Sequence, residues 1–184
     1  MQLTDICPFA QWISFEKRMH DRFGIDINVF NPEGIRITDH KAWVNRLCPA
    51  IKATDKGQAF ICAVAHMNIS GEARRTQQAV IEECDAGLIK LVVPIFFRGE
   101  YLGAVGACGL RFEDGEVDPF LIHQIAGIPE DTVEELSRDI GVMPREKAIE
   151  LARTIQSEIQ ELMDACTTTS SSSLGQSTAS GEHL

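Results

Sequence analysis

The chain has 184 residues and a formal charge of -10 at pH 7, with 17 lysines and arginines against 27 aspartates and glutamates. A single domain of this length hides roughly 70% of its unfolded surface, so its core needs no disulfide staple. The negative balance, with no basic cluster longer than Arg74-Arg75, excludes nonspecific nucleic-acid binding and a basic membrane-surface helix.

No apolar run approaches the ~18 residues needed to cross a bilayer, and the N-terminus lacks the pattern of a cleaved secretory signal. The expectation is a soluble cytoplasmic protein with no membrane partner. In that compartment thiols stay reduced, so six cysteines point to ligation, redox chemistry or simple burial rather than a disulfide framework.

Thr4 and Asp5 can cap a first helix, along which Phe9, Ile13, Met19 and Phe23 share a face until Gly24 ends it. Ile25, Ile27 and Val29 then alternate, Asn31-Pro32-Glu33-Gly34 forms a tight turn, and Ile35 and Ile37 alternate again, which predicts a β-hairpin. Residues 42–76 are helical in composition but interrupted at Cys48-Pro49, Gly57 and Gly71, so two or three short helices are expected.

From Gln78 the pattern becomes that of strands: Ala79 to Ile81, Leu88 to Phe97 and Tyr101 to Leu110, separated by Asp85-Ala86-Gly87 and Arg98-Gly99-Glu100. The segment Leu88 to Phe97 is apolar on both faces and therefore central, and Pro94 within it predicts a bulge or an unpaired amide beside a pocket. Three helices follow, opened by Asp118-Pro119, Pro129 and Pro144 and running to about Ile125, Ile140 and Met163. Residues 166–184 read as a disordered Ser/Thr-rich tail beyond a domain at 1–165.

The expected fold class is α+β: a five-stranded antiparallel sheet of PAS/GAF-like layout, with a helical insertion and N- and C-terminal helices. Such a layout leaves a cavity between one sheet face and the inserted helices. In the last helix, Ala148, Ala152, Ile155, Ile159, Leu162 and Cys166 follow alternating four- and three-residue steps. That stripe suits either a homodimer seam or packing on the domain itself, and both stay open.

The succession Cys48, Cys62, Cys84-Asp85-Ala86-Gly87-Leu88, Pro94-Ile95 and Gly99-Glu100-Tyr101-Leu102-Gly103 resembles the PocR-type sensory domain, over roughly Leu3 to Met163. The resemblance implies a PAS/GAF-like module that senses small organic compounds and drives a kinase, chemoreceptor or DNA-binding unit. No output unit follows here, so a separate, unidentified output protein is expected. Where the family often has Gly-Gln after the last strand, this sequence has Cys108-Gly109.

Soft thiolates bind zinc or iron, and a closed site takes four of them. Cys48, Cys62, Cys84 and Cys108 are the candidate metal ligands, for zinc or an iron–sulfur cluster; His66, one helical turn from Cys62, is the alternative to Cys108. The competing reading makes some of these thiols ordinary core residues. Cys7 and Cys166, at the chain ends, are taken as incidental. Candidate ligand-binding residues are Trp43, Phe60, Phe96 and Cys84.

No catalytic constellation is present. His40, His66 and His123 lack a nucleophile elbow, Glu82 and Glu83 point to opposite faces of a strand, and Gly103-Ala104-Val105-Gly106 lacks dinucleotide context. The expected function is therefore a non-enzymatic small-molecule or redox sensing domain; an iron–sulfur redox carrier or a metal-trafficking protein is the alternative.

Overall fold

The structure is a computed structural model that describes residues 1–174. The expected first helix is divided into α1 (Leu3–Ile6) and α2 (Phe9–Phe23). Pro8 causes the break: a residue before proline is driven out of the helical region, and Cys7 is extended at φ -122° and ψ 137°. Gly24, at φ 62°, ends α2 in a left-handed cap whose N–H reaches the carbonyl of His20.

The sheet has four strands rather than five: β1 (Asp26–Phe30), β2 (Val80–Glu83), β3 (Ile89–Phe97) and β4 (Glu100–Cys108), in the antiparallel order β1-β4-β3-β2. The turn after β1 forms as expected, but the returning segment is reduced to one bridge between Phe30 and Arg36. A buried carboxylate explains why. Glu16 on α2 accepts the Val29 N–H at 2.8 Å and the Thr38 hydroxyl at 2.6 Å, so the donor a fifth strand would need is already taken. The chain beyond Ile37 is thereby pinned to α2 instead of continuing the ladder.

Strand alternation divides the interior in two. Ile27 and Val29 of β1, Ile89 to Ile95 at odd positions of β3, and Leu102, Val105 and Ala107 of β4 pack with Trp12, Phe15 and Met19 of α2. The long C-terminal helix α8 (Arg145–Leu174) closes that core with Ala148, Leu151, Ala152, Ile155, Ile159 and Leu162. The stripe that suited a dimer seam therefore faces the domain's own sheet. The helix runs past the boundary expected at 166, and residues 175–184 of the expected tail lie outside the described residues.

A second correction concerns the terminal cysteines. α1 lies against α8, and Cys7 and Cys166, expected to be incidental and reduced, form a disulfide with a Cα–Cα distance of 5.4 Å. Separation in sequence concealed the pair.

The opposite sheet face carries the inserted helices: α3 (Leu47–Lys52), α4 (Asp55–Gly57), a π-helical turn (Gln58–Ala63) and α5 (Val64–Thr76). α5 packs Ile69 and Ala73 on Val92 and Ala104. The helices α6 (Pro119–Ala126) and α7 (Glu130–Ser137) join α3 and the π turn around Leu47, Ile51, Ile61 and Leu88. Pro119 at the start of α6 and the Asp118 carboxylate accepting from Leu121 N–H at 2.9 Å match the expected capping. Between these two helical groups the face is left open, and there the site lies.

Candidate functional site

Register fixes the floor of the site. Asp26, Cys108, Lys90 and Glu82 are cross-strand neighbours in one row spanning all four strands, on the face turned away from α8. In the next row, Gly106 lies between Asn28 and Val92. A Cβ at Gly106 would meet the Phe30 ring at 2.9 Å, Lys90 Nζ at 3.4 Å and His66 Cε1 at 3.6 Å, so glycine there is what lets three side chains gather.

The roof and walls come from the 34–53 segment, the π turn and α5. They enclose a cavity of about 720 Å³, within the size range of small-molecule sites. Cys48, Cys62, Cys84 and Cys108 all line it, from four separate parts of the chain. Trp43 and His66 line it as well. These residues were expected at the site and are brought together there.

Two expected residues are not. Phe60 is 58% exposed, because it lies roughly half a turn around the π-helical segment from Cys62 and both cannot face inward. Phe96 belongs to the far end of β3, six residues and roughly 20 Å along the strand from Lys90. It follows the register shift between Ile95 and Phe96, which fulfils the expectation of a bulge near Pro94, and packs on Tyr101 with ring centroids 5.5 Å apart. There it borders a separate groove of about 240 Å³ against Ile159 and Met163 of α8.

The local bonds that hold the thiols are specific. Asn45 accepts the Cys48 N–H through Oδ1 at 2.7 Å, and its Nδ2 donates to the Gly109 carbonyl at 2.6 Å and to Cys48 Sγ at 3.3 Å. This one amide ties the start of α3 to the end of β4. Cys84 closes a tight turn to Leu88, made possible by Gly87 at φ 74°, where a Cβ would collide with the Glu116 carbonyl.

Burial is the main influence on these thiols. It pushes the Cys48 thiol up, and the neighbouring Cys108, Cys84 and Cys62 add to the rise. Burial likewise moves Cys62 up to about 11, although Lys52 and Lys90 oppose the rise, and it raises Cys84 against two backbone N–H donors. The three are neutral thiols at pH 7. Among the described residues no group of three or more His, Cys, Asp or Glu side chains is arranged to hold a metal ion.

His66 is neutral too. Its ring stacks on Phe30 with centroids 3.9 Å apart, its Nε2 lies 3.3 Å from the Ser70 hydroxyl, and its Nδ1 is buried with no partner. Burial, reinforced by Lys90, Lys52 and Arg36, lowers its pKa to about 3.

Lys90, Lys52, Arg36, Asn45 and Glu16 did not emerge from the sequence. For Lys90 a signal existed: it is the only charged residue in the strand Ile89–Phe97. A lone charge in an otherwise apolar central strand has to face a neutralising group or a cavity.

An antiparallel sheet with one face sealed by terminal helices and the other roofed over a ligand-sized cavity is the build of an α+β ligand-binding module. The family is more specific. Residues 5–167 match the family model PocR, described as the sensory domain found in PocR, and the chain belongs to that family. No curated protein and no solved structure gives a match. Membership makes ligand sensing the general role, and among the described residues no helix is long and apolar enough to cross a membrane.

Proposed function

We propose that this domain senses a small organic molecule bound in the cavity between the sheet and the helices α3 to α5, without catalysis, and passes the event on to an output unit. The observation that carries the reading is the 720 Å³ cavity, whose wall combines Trp43 with four thiols in a chain of a sensory family. A ligand shifts a conformational equilibrium only through different contacts with its two states. Here the roof consists of short helices and a π turn, which can reseat on a ligand more cheaply than the sheet beneath them. The Cys84 thiol would contact the ligand from the wall at the β2–β3 turn, and the Trp43 indole would cover it.

A second reading gives the thiols a metal. What favours it is that Cys48, Cys62, Cys84 and Cys108 border one cavity and that neighbouring thiols add to the rise in the Cys48, Cys62 and Cys84 pKa values; a cation would reverse that effect and release the thiol protons. The described thiols are not arranged to hold an ion as they stand, so the walls would have to move first. Zinc would make the site structural or thiol-sensing, an iron–sulfur cluster would make the protein a redox carrier, and loosely exchanging metal would fit trafficking.

One preparation tests both. Protein purified without oxygen is analysed by native mass spectrometry, elemental analysis and visible absorption. A bound organic mass without stoichiometric metal supports the first reading, near-stoichiometric zinc or iron supports the second, and protein with neither that also fails to bind any member of a broad metabolite panel removes both.

A further inference from the structure

We infer that the ligand of this cavity is a small organic carboxylate, its anionic end held by Lys90 and its hydrocarbon part lying against Trp43 and Phe30. The inference rests on the cavity reading above and adds the chemical class of the occupant.

The charge distribution is the first argument. The chain carries 27 acidic residues against 17 basic ones, yet the cavity is bordered by Arg36, Lys41, Lys52 and Lys90 and by Glu33 as its one carboxylate. Asp26 compensates Arg36 at 3.7 Å. Asp26 and Glu82 share a sheet row with Lys90 but do not border the cavity, so among the described lining residues Lys41, Lys52 and Lys90 meet only Glu33, and an acidic protein surrounds a locally cationic space. His66 does not alter the balance, being neutral.

Burial is the second argument, and it singles out Lys90. The residue is 8% exposed, lies in the middle of the sheet, and among the described residues has no carboxylate within 4.0 Å. Its cross-strand neighbour Glu82 is exposed and forms no ion pair with it, and Nζ lies instead by the Phe30 ring, 5.5 Å from the centroid, and the space above Gly106. A charged ammonium in such surroundings is costly unless an anion or water compensates it. Lining the cavity, it presents its charge to whatever enters. Lys52 completes the electrostatic wall, its Nζ 4.9 Å from the Trp43 ring.

The chemistry of the lining separates carboxylate from phosphate. Phosphate sites gather backbone N–H groups at a helix N-terminus or free guanidinium forks. Here the cations are ammonium groups, the one guanidinium already faces Asp26, and aromatic and aliphatic surface lies beside them. That pattern suits one compact anionic end joined to an apolar body.

Calorimetric titration of the full chain with butyrate and succinate, with their amides and with inorganic phosphate, tests the inference; Trp43 emission is read in parallel, since the other tryptophan, Trp12, is fully buried in the opposite core. At least one acid should bind roughly tenfold or more tighter than its amide, the worth of one charge-assisted hydrogen bond, and Lys90→Gln should erase the difference while exposed Lys56→Gln preserves it. Lys52→Gln, at a half-buried helix end, provides a second variant and should weaken the acids in the same direction. Equal affinity for acid and amide, both shifting Trp43 emission, would overturn the carboxylate inference while leaving the cavity reading intact. Binding of phosphate alone, or no binding of either acid at millimolar concentration, also overturns it. Acid binding that leaves Trp43 emission unchanged and survives both lysine substitutions lies elsewhere and contradicts the cavity reading as well.

Discussion

Replacing Glu16 by alanine tests why the sheet stops at four strands and what holds one cavity wall. The carboxylate is fully buried and accepts the Val29 N–H at 2.8 Å and the Thr38 hydroxyl at 2.6 Å. Alanine leaves two buried donors unsatisfied at about 1–3 kcal/mol each. Burial raises the Glu16 pKa, so removing the carboxyl also relieves part of its desolvation, and a net loss of ~2–4 kcal/mol is expected. At roughly 2–4 °C per kcal/mol for a domain of this size, Tm falls by about 10 °C. Glutamine keeps an acceptor oxygen and should lose no more than about 1 kcal/mol. The pH dependence carries a further signature. A carboxyl whose folded pKa is raised contributes stability that is complete below the unfolded value of 4.5 and is lost as pH rises through the folded value. Glu16→Gln should remove that loss and compare better with wild type at pH 8 than at pH 4.5. Thermal unfolding by circular dichroism at the two pH values, with hydrogen exchange of the Val29 amide, reads all of this. If Glu16→Ala melts within a degree or two of wild type, or Glu16→Gln falls as far as alanine, the carboxylate does not anchor the wall.

The remaining expectations concern separate parts of the molecule. His66, lowered to about 3 when folded from an ordinary 6.5, contributes stability that is complete above pH 6.5 and is lost as pH falls toward 3; at ~1.4 kcal/mol per unit the full effect is a few kcal/mol, so His66→Phe, which keeps the stack on Phe30, should flatten the acid limb in urea titrations. Nitrogen NMR should find the His66 ring still neutral at pH 5, and a protonated ring there would contradict its burial. Gly87→Ala, at φ 74° with the Glu116 carbonyl in the way, should cost ~3 kcal/mol or more, whereas Gly24→Ala, at φ 62° with open space, should cost about 1 kcal/mol; similar losses would mean that the Gly87 contact is not tight. Alkylation of denatured, unreduced protein should label four of the six cysteines, with Cys7 and Cys166 protected; labelling of all six would refute their pairing.

Most of the strand core was legible because β3 and β4 are continuous apolar runs punctuated by glycine turns, and such runs fold where hydrophobic burial puts them. The helix starts at Pro119, Glu130 and Arg145 followed from proline and aspartate chemistry in the same way. The fifth strand was misread because Ile35 and Ile37 alternate properly, while the competing acceptor, Glu16, lies 19 or more residues earlier on a helix. The pairing of Cys7 with Cys166 was invisible for the same reason, at a separation of 159 residues. Around the cavity, the cysteines and Trp43 stood out by residue type. Their convergence depended on strand register, and the exclusion of Phe60 and Phe96 on helix phase and a bulge, none of which local spacing encodes.

The central claim is that small molecules bind above the row formed by Cys108 and Lys90. An NMR fragment screen of the isotope-labelled full chain, with hits located by chemical-shift change, tests it directly. Hits should perturb Trp43, Cys48, Cys62, Cys84, Lys90 and Cys108 together, because these residues border one space. Hits that gather elsewhere and leave those six signals unmoved would contradict the assignment of the cavity as the sensory site.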